Sequence, residues 1–333
     1  MALSSNVQQD KVRIQTVLMN FVTKWGTILA IVGLLLFFSL SMPDIFMTRS
    51  NITTILRSIS IVTVIAIGIT ISLTINGFDL SIGSMATFAD TLVISMFVWH
   101  SMPTVPAILV TLAVAMVVGA FNAFLIVKVK IPDMLVTLAS LFIFEGVAMT
   151  YAGGGSISQG MPRLDGTPTF GVIPGIFKTI GTAPTIIIIM LVVVALAHIF
   201  LTYTKYGRYL YVVGGNMEAA RLSGIPVDRY RALAYLLSAL LAAVGGIILA
   251  SRIGSAQINA GAGYLMPSVA AAFIGLSVAG AGRPNAIGTF AGAVLVGILE
   301  NGLVMMSVPY YSLNIIKGSV LVLALALTYF RKK

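Results

Sequence analysis

The chain has 333 residues, of which 58% are hydrophobic and only 9% charged, and its mean hydropathy is +1.03. Soluble domains carry about 25% charged residues, so these values exclude a soluble globular fold and specify a polytopic, all-α membrane protein. Lys and Arg outnumber Asp and Glu by 20 to 10, an excess that in a soluble protein would suggest nucleic acid, but here the charges sit in short loops between apolar segments, as the positive-inside rule requires. No cysteine is present, which removes disulfides, thiolate metal sites and Cys nucleophiles.

Residues 1–25 contain Asp10, Lys11, Arg13 and Lys24. This leader is too long and too mixed in charge for a cleaved signal peptide, and no small-x-small cleavage site follows the apolar run after it. It reads as a cytoplasmic segment ahead of a retained first span. A span needs about 20 mostly apolar residues, and ten can be drawn: 26–43, 53–76, 80–99, 105–127, 133–152, 183–204, 230–250, 265–281, 286–306 and 311–330. Together they make 26–330 a single transmembrane domain with a loop at 205–229 and a short tail at 331–333.

With the N-terminus in the cytoplasm, Lys11, Arg13, Lys24, Lys128, Lys130, the basic residues of 205–231, Arg283 and the tail fall on one side, 14 of the 20 basic residues. That bias predicts an N-in, C-in topology. The longest external segment, 153–182, is punctuated by Gly, Pro and Ser and predicts turns and short surface helices; it is either a connector or a docking surface for an external partner. Two five-span halves would face opposite ways, as in inverted-repeat transporters, although the one internal echo, IGSMATFA (82–89) with IGTFAGA (287–293), does not fit that symmetry. The Gly288-x-x-x-Gly292 spacing predicts close helix packing.

Charges inside a bilayer cost about 2.5–3.5 kcal/mol each on insertion scales, so each needs a reason. Asp79 lies in the polar break Asn76-Gly77-Phe78-Asp79-Leu80-Ser81 between two spans. Either the break is a hinge presenting Asn76 and Asp79 to a solute pathway, or Asp79 or Ser81 caps the third span. Asp90 falls midway along that span near Thr87 and Thr91, where pairing, protonation or a transport role would account for it. Glu145, in the fifth span, and Glu300, near the end of the ninth, are less extreme, and Lys317 is a potential partner for either. His100 and His198 are isolated, with no second ligand at metal spacing, and no metal site is expected. No phosphate loop, HExxH or nucleophile elbow occurs, so the chain is not expected to be an enzyme or to hydrolyse ATP by itself.

Charge concentrates in 205–231, which holds Lys205, Arg208, Glu218, Arg221, Asp228, Arg229 and Arg231, seven of the thirty charged residues. Asn216 is a suitable N-cap for two helical turns over 217–223, stopped by Gly224 and Pro226. Glu218 and Arg221 stand at i, i+3 and can support each other. An exposed helix this short does not hold itself folded; a protein partner would stabilise it.

GGNMEAARLSGI (214–225) and GFDLSIGS (77–84), followed by SRIGSAQINAGAGY (251–264) and YYSLNIIKG (310–318), resemble in content and order the membrane permease subunits of ribose-type (simple-sugar) ABC importers. The resemblance covers nearly all of the chain after about residue 50. It implies a vitamin-B12-importer-like (type II) permease of ten helices in the bacterial inner membrane, paired with a second permease copy, identical or not. ABC ATPase subunits would bind ATP and Mg and dock on a coupling helix formed by Gly215, Asn216, Glu218, Ala219, Ala220, Arg221, Ser223 and Gly224. A periplasmic or lipid-anchored binding protein would deliver the solute, and the family's intramembrane break maps onto Asn76, Gly77, Phe78, Asp79 and Ser81, with Asp90 beyond it. Where the family reads GYELDAIA, this chain has GYLMPSVA (263–270) and loses both acids. A sugar is the expected solute. A non-sugar solute for the same kind of permease, or an ion-coupled secondary transporter using Asp90, Glu145 and Glu300, are the alternatives.

Overall fold

A backbone surrounded by lipid must satisfy its own hydrogen bonds, and helices do so within one segment. The computed structural model describes residues 25–276, 278, 282–309, 311–313, 315, 316, 318, 319 and 322. Among them no strand is found, and the helices are α1 Trp25–Ser41, α2 Arg49–Thr74, α3 Ile82–Val98, α4 Thr104–Val127, α5 Asp133–Tyr151, α6 Gly175–Ile180, α7 Thr185–Tyr203, α8 Lys205–Gly215, α9 Met217–Leu222, α10 Val227–Ile253, α11 Ala262–Gly275 and α12 Ala286–Met305, followed by helical residues at 311–313, 315, 316, 318, 319 and 322. Six of these (α2, α4, α5, α7, α10 and α12) are long and apolar enough to cross a membrane, while α1, α3 and α11 are shorter apolar helices. The expected spans up to 286–306 all fall on these helices. Most of the expected tenth span, the basic residues Lys11, Arg13 and Lys24, Lys317, and the tail lie outside the described residues.

The bundle is built around α2 and α10, which pack on each other; α10 also packs on α3 and α4, and α2 on α11 and α12. In lipid no hydrophobic force pulls helices together, so small side chains and interhelical hydrogen bonds do the work. A Cβ on Gly246 of α10 would collide with the Ala86 carbonyl of α3, and one on Gly119 of α4 would stand 3.0 Å from the Ala239 Cβ. The Gly288–Gly292 pair lies against α11 as its spacing predicts: side chains there would run into the carbonyls of Gly275 and Ala271. Thr70 and Thr289 share a buried hydroxyl hydrogen bond of 2.6 Å between α2 and α12. By contrast α5 and α7 turn most of their apolar surface outward, with Leu135, Leu138, Phe142, Leu191 and Leu196 exposed.

The segment 153–182 closes one end of the bundle. Ile157 forms an antiparallel bridge with Ala256, and Phe177 of α6 is buried edge-on against Phe97. The Ser251 hydroxyl accepts from the Gly181 N–H at 2.7 Å and donates to the Phe177 carbonyl at 2.6 Å. The short helix that the sequence predicts here does lie at the surface, with Ile176, Lys178 and Thr179 exposed, and Phe177 anchors it in the bundle.

α11 rises only about 21 Å over its 14 residues, short of the roughly 30 Å hydrocarbon core; it begins at Ala262, three residues ahead of the expected start at 265, and residues 277 and 279–281 of that span lie outside the described residues. Before it, 254–261 turns back toward the bundle after α10. The Gln257 N–H donates to Asp90 Oδ2 at 3.1 Å and the Gly261 N–H to Thr87 Oγ1 at 3.0 Å, both along α3. A re-entrant segment is tolerated at this depth because α3 supplies the hydrogen-bond partners that lipid cannot.

Candidate functional site

The polar break between α2 and α3 is held in one shape from several sides. Asn76 adopts φ +57, a left-handed turn that Asn tolerates, and sends the chain into Gly77. No side chain fits at Gly77, because a Cβ would collide with the Tyr235 hydroxyl and stand 3.1 Å from Asp133 Oδ2. Asp133, the first residue of α5, accepts from the Phe78 N–H at 2.7 Å and from the Tyr235 hydroxyl of α10 at 2.9 Å. The Thr137 hydroxyl, one turn on, donates to the Asp133 carbonyl at 2.9 Å and lies 3.3 Å from the Phe78 carbonyl.

Asp79 is 1% exposed, and its Oδ1 accepts both from the Ser81 N–H at 2.9 Å and from the Ser81 hydroxyl at 2.6 Å. It closes a turn three residues ahead of α3, while Ser81 occupies the cap position in helical conformation without a side-chain capping bond. A chain of buried amides and hydroxyls continues from there: Asn122 of α4 donates to Ser81 Oγ at 3.1 Å, and Ser140 of α5 donates to Asn122 Oδ1. Within the break, Asn76 is exposed, Phe78 is half-buried against Phe273 of α11, and Gly77, Asp79 and Ser81 are buried.

Asp90 does not join this group. It lies nine residues beyond Ser81 on α3, a rise of about 13 Å, and is 0% exposed. One carboxylate oxygen holds Gln257, and Oδ1 is buried with no protein hydrogen-bond partner. The adjacent Thr87, Thr91, Gly155, Ala256 and Gln257 line a cavity of about 10 Å³, the size of one water molecule. Glu145 and Glu300 are half-buried on other helices, and among the described residues no group of three or more His, Asp or Glu side chains could hold a metal.

The polar loop contains two helices. Thr204 caps α8 by accepting from the Gly207 N–H at 3.1 Å, and Asn216 caps α9 by accepting from the Ala219 N–H at 3.0 Å. Gly224 leaves the helical path at φ +77, and Glu218 and Arg221 pair at 3.6 Å. The sequence predicts α9 but not α8, because three glycines in eleven residues oppose a helix. Two of them serve close packing instead: Cβ atoms on Gly207 and Gly214 would collide with the Phe200 and Thr74 carbonyls respectively. Gly214 thus presses α8 directly on the end of α2, at the start of the break.

On the outer side Gly215 has open space, Glu218, Ala219, Arg221, Ser223 and Gly224 are exposed, and Leu222 is 87% exposed. Ala220 is 0% exposed and belongs to the chain's own core with Leu210 and Val213. Between α8, the break and 282–284 lies a cavity of about 520 Å³ bordered by Thr74, Asn76, Arg208, Tyr211 and Arg283. The Tyr211 hydroxyl closes one wall by donating to the Pro284 carbonyl at 2.6 Å.

Sequence reasoning missed Asp133, Thr137, Tyr235, Asn122 and Ser140. The first sits at a span boundary, where a carboxylate is ordinary, and the others are uncharged. Asn122 in an otherwise apolar span was the available signal, since an amide in lipid needs partners almost as much as a charge does.

The family described as branched-chain amino acid transport system / permease component matches residues 51–325. The chain is 33% identical over 298 residues to the ribose import permease protein of Escherichia coli (strain K12), covering 90% of this chain and 91% of that one. It is 34% identical over 310 residues to the ribose import permease protein of Bacillus subtilis (strain 168), covering 93% of each. It is 28% identical over 351 residues to the xylose transport system permease protein of Escherichia coli (strain K12), covering 89% of each. No solved structure matches. Apolar helices and these matches agree: the chain belongs to the branched-chain amino acid transport system / permease component family, as a multi-pass permease of the inner membrane.

Proposed function

We propose that the chain is the translocating subunit of an ABC importer that carries a sugar, a ribose-like pentose, hexose or related polyol, into the cytoplasm. The observation that carries this reading is the α8–α9 loop. It offers a capped helix with Gly215, Ala219 and Leu222 exposed, and its Gly214 bears on the break at Thr74. A helix that projects apolar surface yet is rooted on the intramembrane break suits an external motor. ABC ATPase subunits, binding ATP and Mg themselves, would dock there. A second permease copy would pair in the bilayer, and a periplasmic or lipid-anchored binding protein would present the solute at the 153–182 end. In this reading the loop end is cytoplasmic, and a ten-span chain has both termini inside. The ribose and xylose permeases among the relatives support a sugar. The positions where the family's acids are replaced are built into packing, with Leu265 against Gly83 and Pro267 buried within α11.

Docking is tested by co-purification of the partner ATPase. Ala219→Trp and Leu222→Asp should each abolish it while leaving the amount of folded permease unchanged, and retention of the ATPase by both variants would remove α9 from the interface. A second reading, an ion-coupled secondary transporter, draws on the unpartnered oxygen of Asp90. It requires uptake that collapses with the proton or sodium gradient at constant ATP.

A further inference from the structure

The break is gripped at a point that the coupling loop also reaches. Asp133 Oδ2 receives two donors, the Phe78 N–H of the break at 2.7 Å and the Tyr235 hydroxyl of α10 at 2.9 Å. Gly77 is the residue that lets the Tyr235 hydroxyl come this close. Tyr235 itself is 1% exposed and lies eight residues, about 12 Å, from the start of α10, the helix that α9 runs into through 223–226. The loop therefore meets the break twice, directly through Gly214 against Thr74 and indirectly along α10 through Tyr235. Either connection moved alone would strain the other.

We propose that Asp133 and Tyr235 form a latch tying the break to α10, which makes Asp133 a positioning residue for translocation: displacement of the 205–226 loop reaches 75–81 through this bond. The proposal rests on the importer reading for its transport consequence, but the latch itself is a property of the single chain. One oxygen accepts both bonds, so Asp133→Asn, with its amide oxygen in that place, should preserve the latch, whereas Asp133→Ala deletes it and Tyr235→Phe removes the hydroxyl but leaves the ring in place.

The test uses the full chain reconstituted with its ATPase and binding protein, with labelled ribose and labelled xylose as probes. Tyr235→Phe and Asp133→Ala should lower the solute moved per ATP by roughly tenfold, the effect of losing one buried hydrogen bond, with ATPase rate kept. Asp133→Asn should stay within about twofold of wild type. Loss of ATPase and uptake together, or normal coupling in Tyr235→Phe, would overturn the latch. An independent arm exploits the absence of cysteine: spin labels on Asn76→Cys and Arg229→Cys in the purified chain should give one narrow distance, broadened by Tyr235→Phe and Asp133→Ala but not by Asp133→Asn. If the wild type moves neither sugar with ATP while this broadening is seen, the pentose-importer reading fails and the latch stands; unchanged distances overturn the latch whatever the transport result.

Discussion

Adjacent glycines in the loop separate packing from docking. A methyl on Gly214 would meet the Thr74 carbonyl, while one on Gly215 meets nothing within 4 Å. Gly214→Ala should therefore destabilise the protein by about 1–3 kcal/mol, as overpacking does, and loosen α8. Gly215→Ala should be neutral or stabilising by up to about 1 kcal/mol. Thermal unfolding in detergent ranks them; equal melting temperatures would mean that α8 does not rest on Thr74. Asn122→Leu should cost about 1–3 kcal/mol, because the hydroxyls of Ser81 and Ser140 lose their amide partner in a buried place. The residue scale is also where the sequence was least legible. Asp79 is conspicuous in it and serves Ser81 locally, but that Asp133 holds the Phe78 N–H of the break from another helix follows from which helices are neighbours.

At the scale of elements, apolar length was enough to place the helices, since a lipid-spanning segment advertises itself by composition alone. The exceptions are informative. α8 was hidden because its glycines weaken a helix in isolation and strengthen it only through contacts with Phe200 and Thr74. The turn at 254–261 between α10 and α11 was not foreseen because it is bound by backbone N–H groups, which carry no sequence signal. Asp90→Ala should release this segment. Amide hydrogen exchange across 255–261 should then quicken by tenfold or more, about the effect of losing a hydrogen bond to a buried carboxylate. Unchanged protection would mean that Thr87 and the Ile157–Ala256 bridge suffice. The α9 helix was legible because its signal is local: an Asn cap, a Glu–Arg pair and a Gly stop within nine residues.

For the whole molecule, one end of the bundle is closed by 153–182 and by re-entrant 254–261, and the other holds the break, the cavity beside it and the protruding α8–α9 loop. This arrangement gives an outside partner a place to push and gives the push a route inward. Vesicles containing the chain, its ATPase and its binding protein, loaded with ATP and treated with ionophores that abolish proton and sodium gradients, measure the central claim directly. Uptake of ribose or xylose that requires ATP, survives the ionophores and disappears with Gly215→Leu is the expected result. Uptake by the chain alone, or uptake that stops with the gradients while ATP persists, would contradict it.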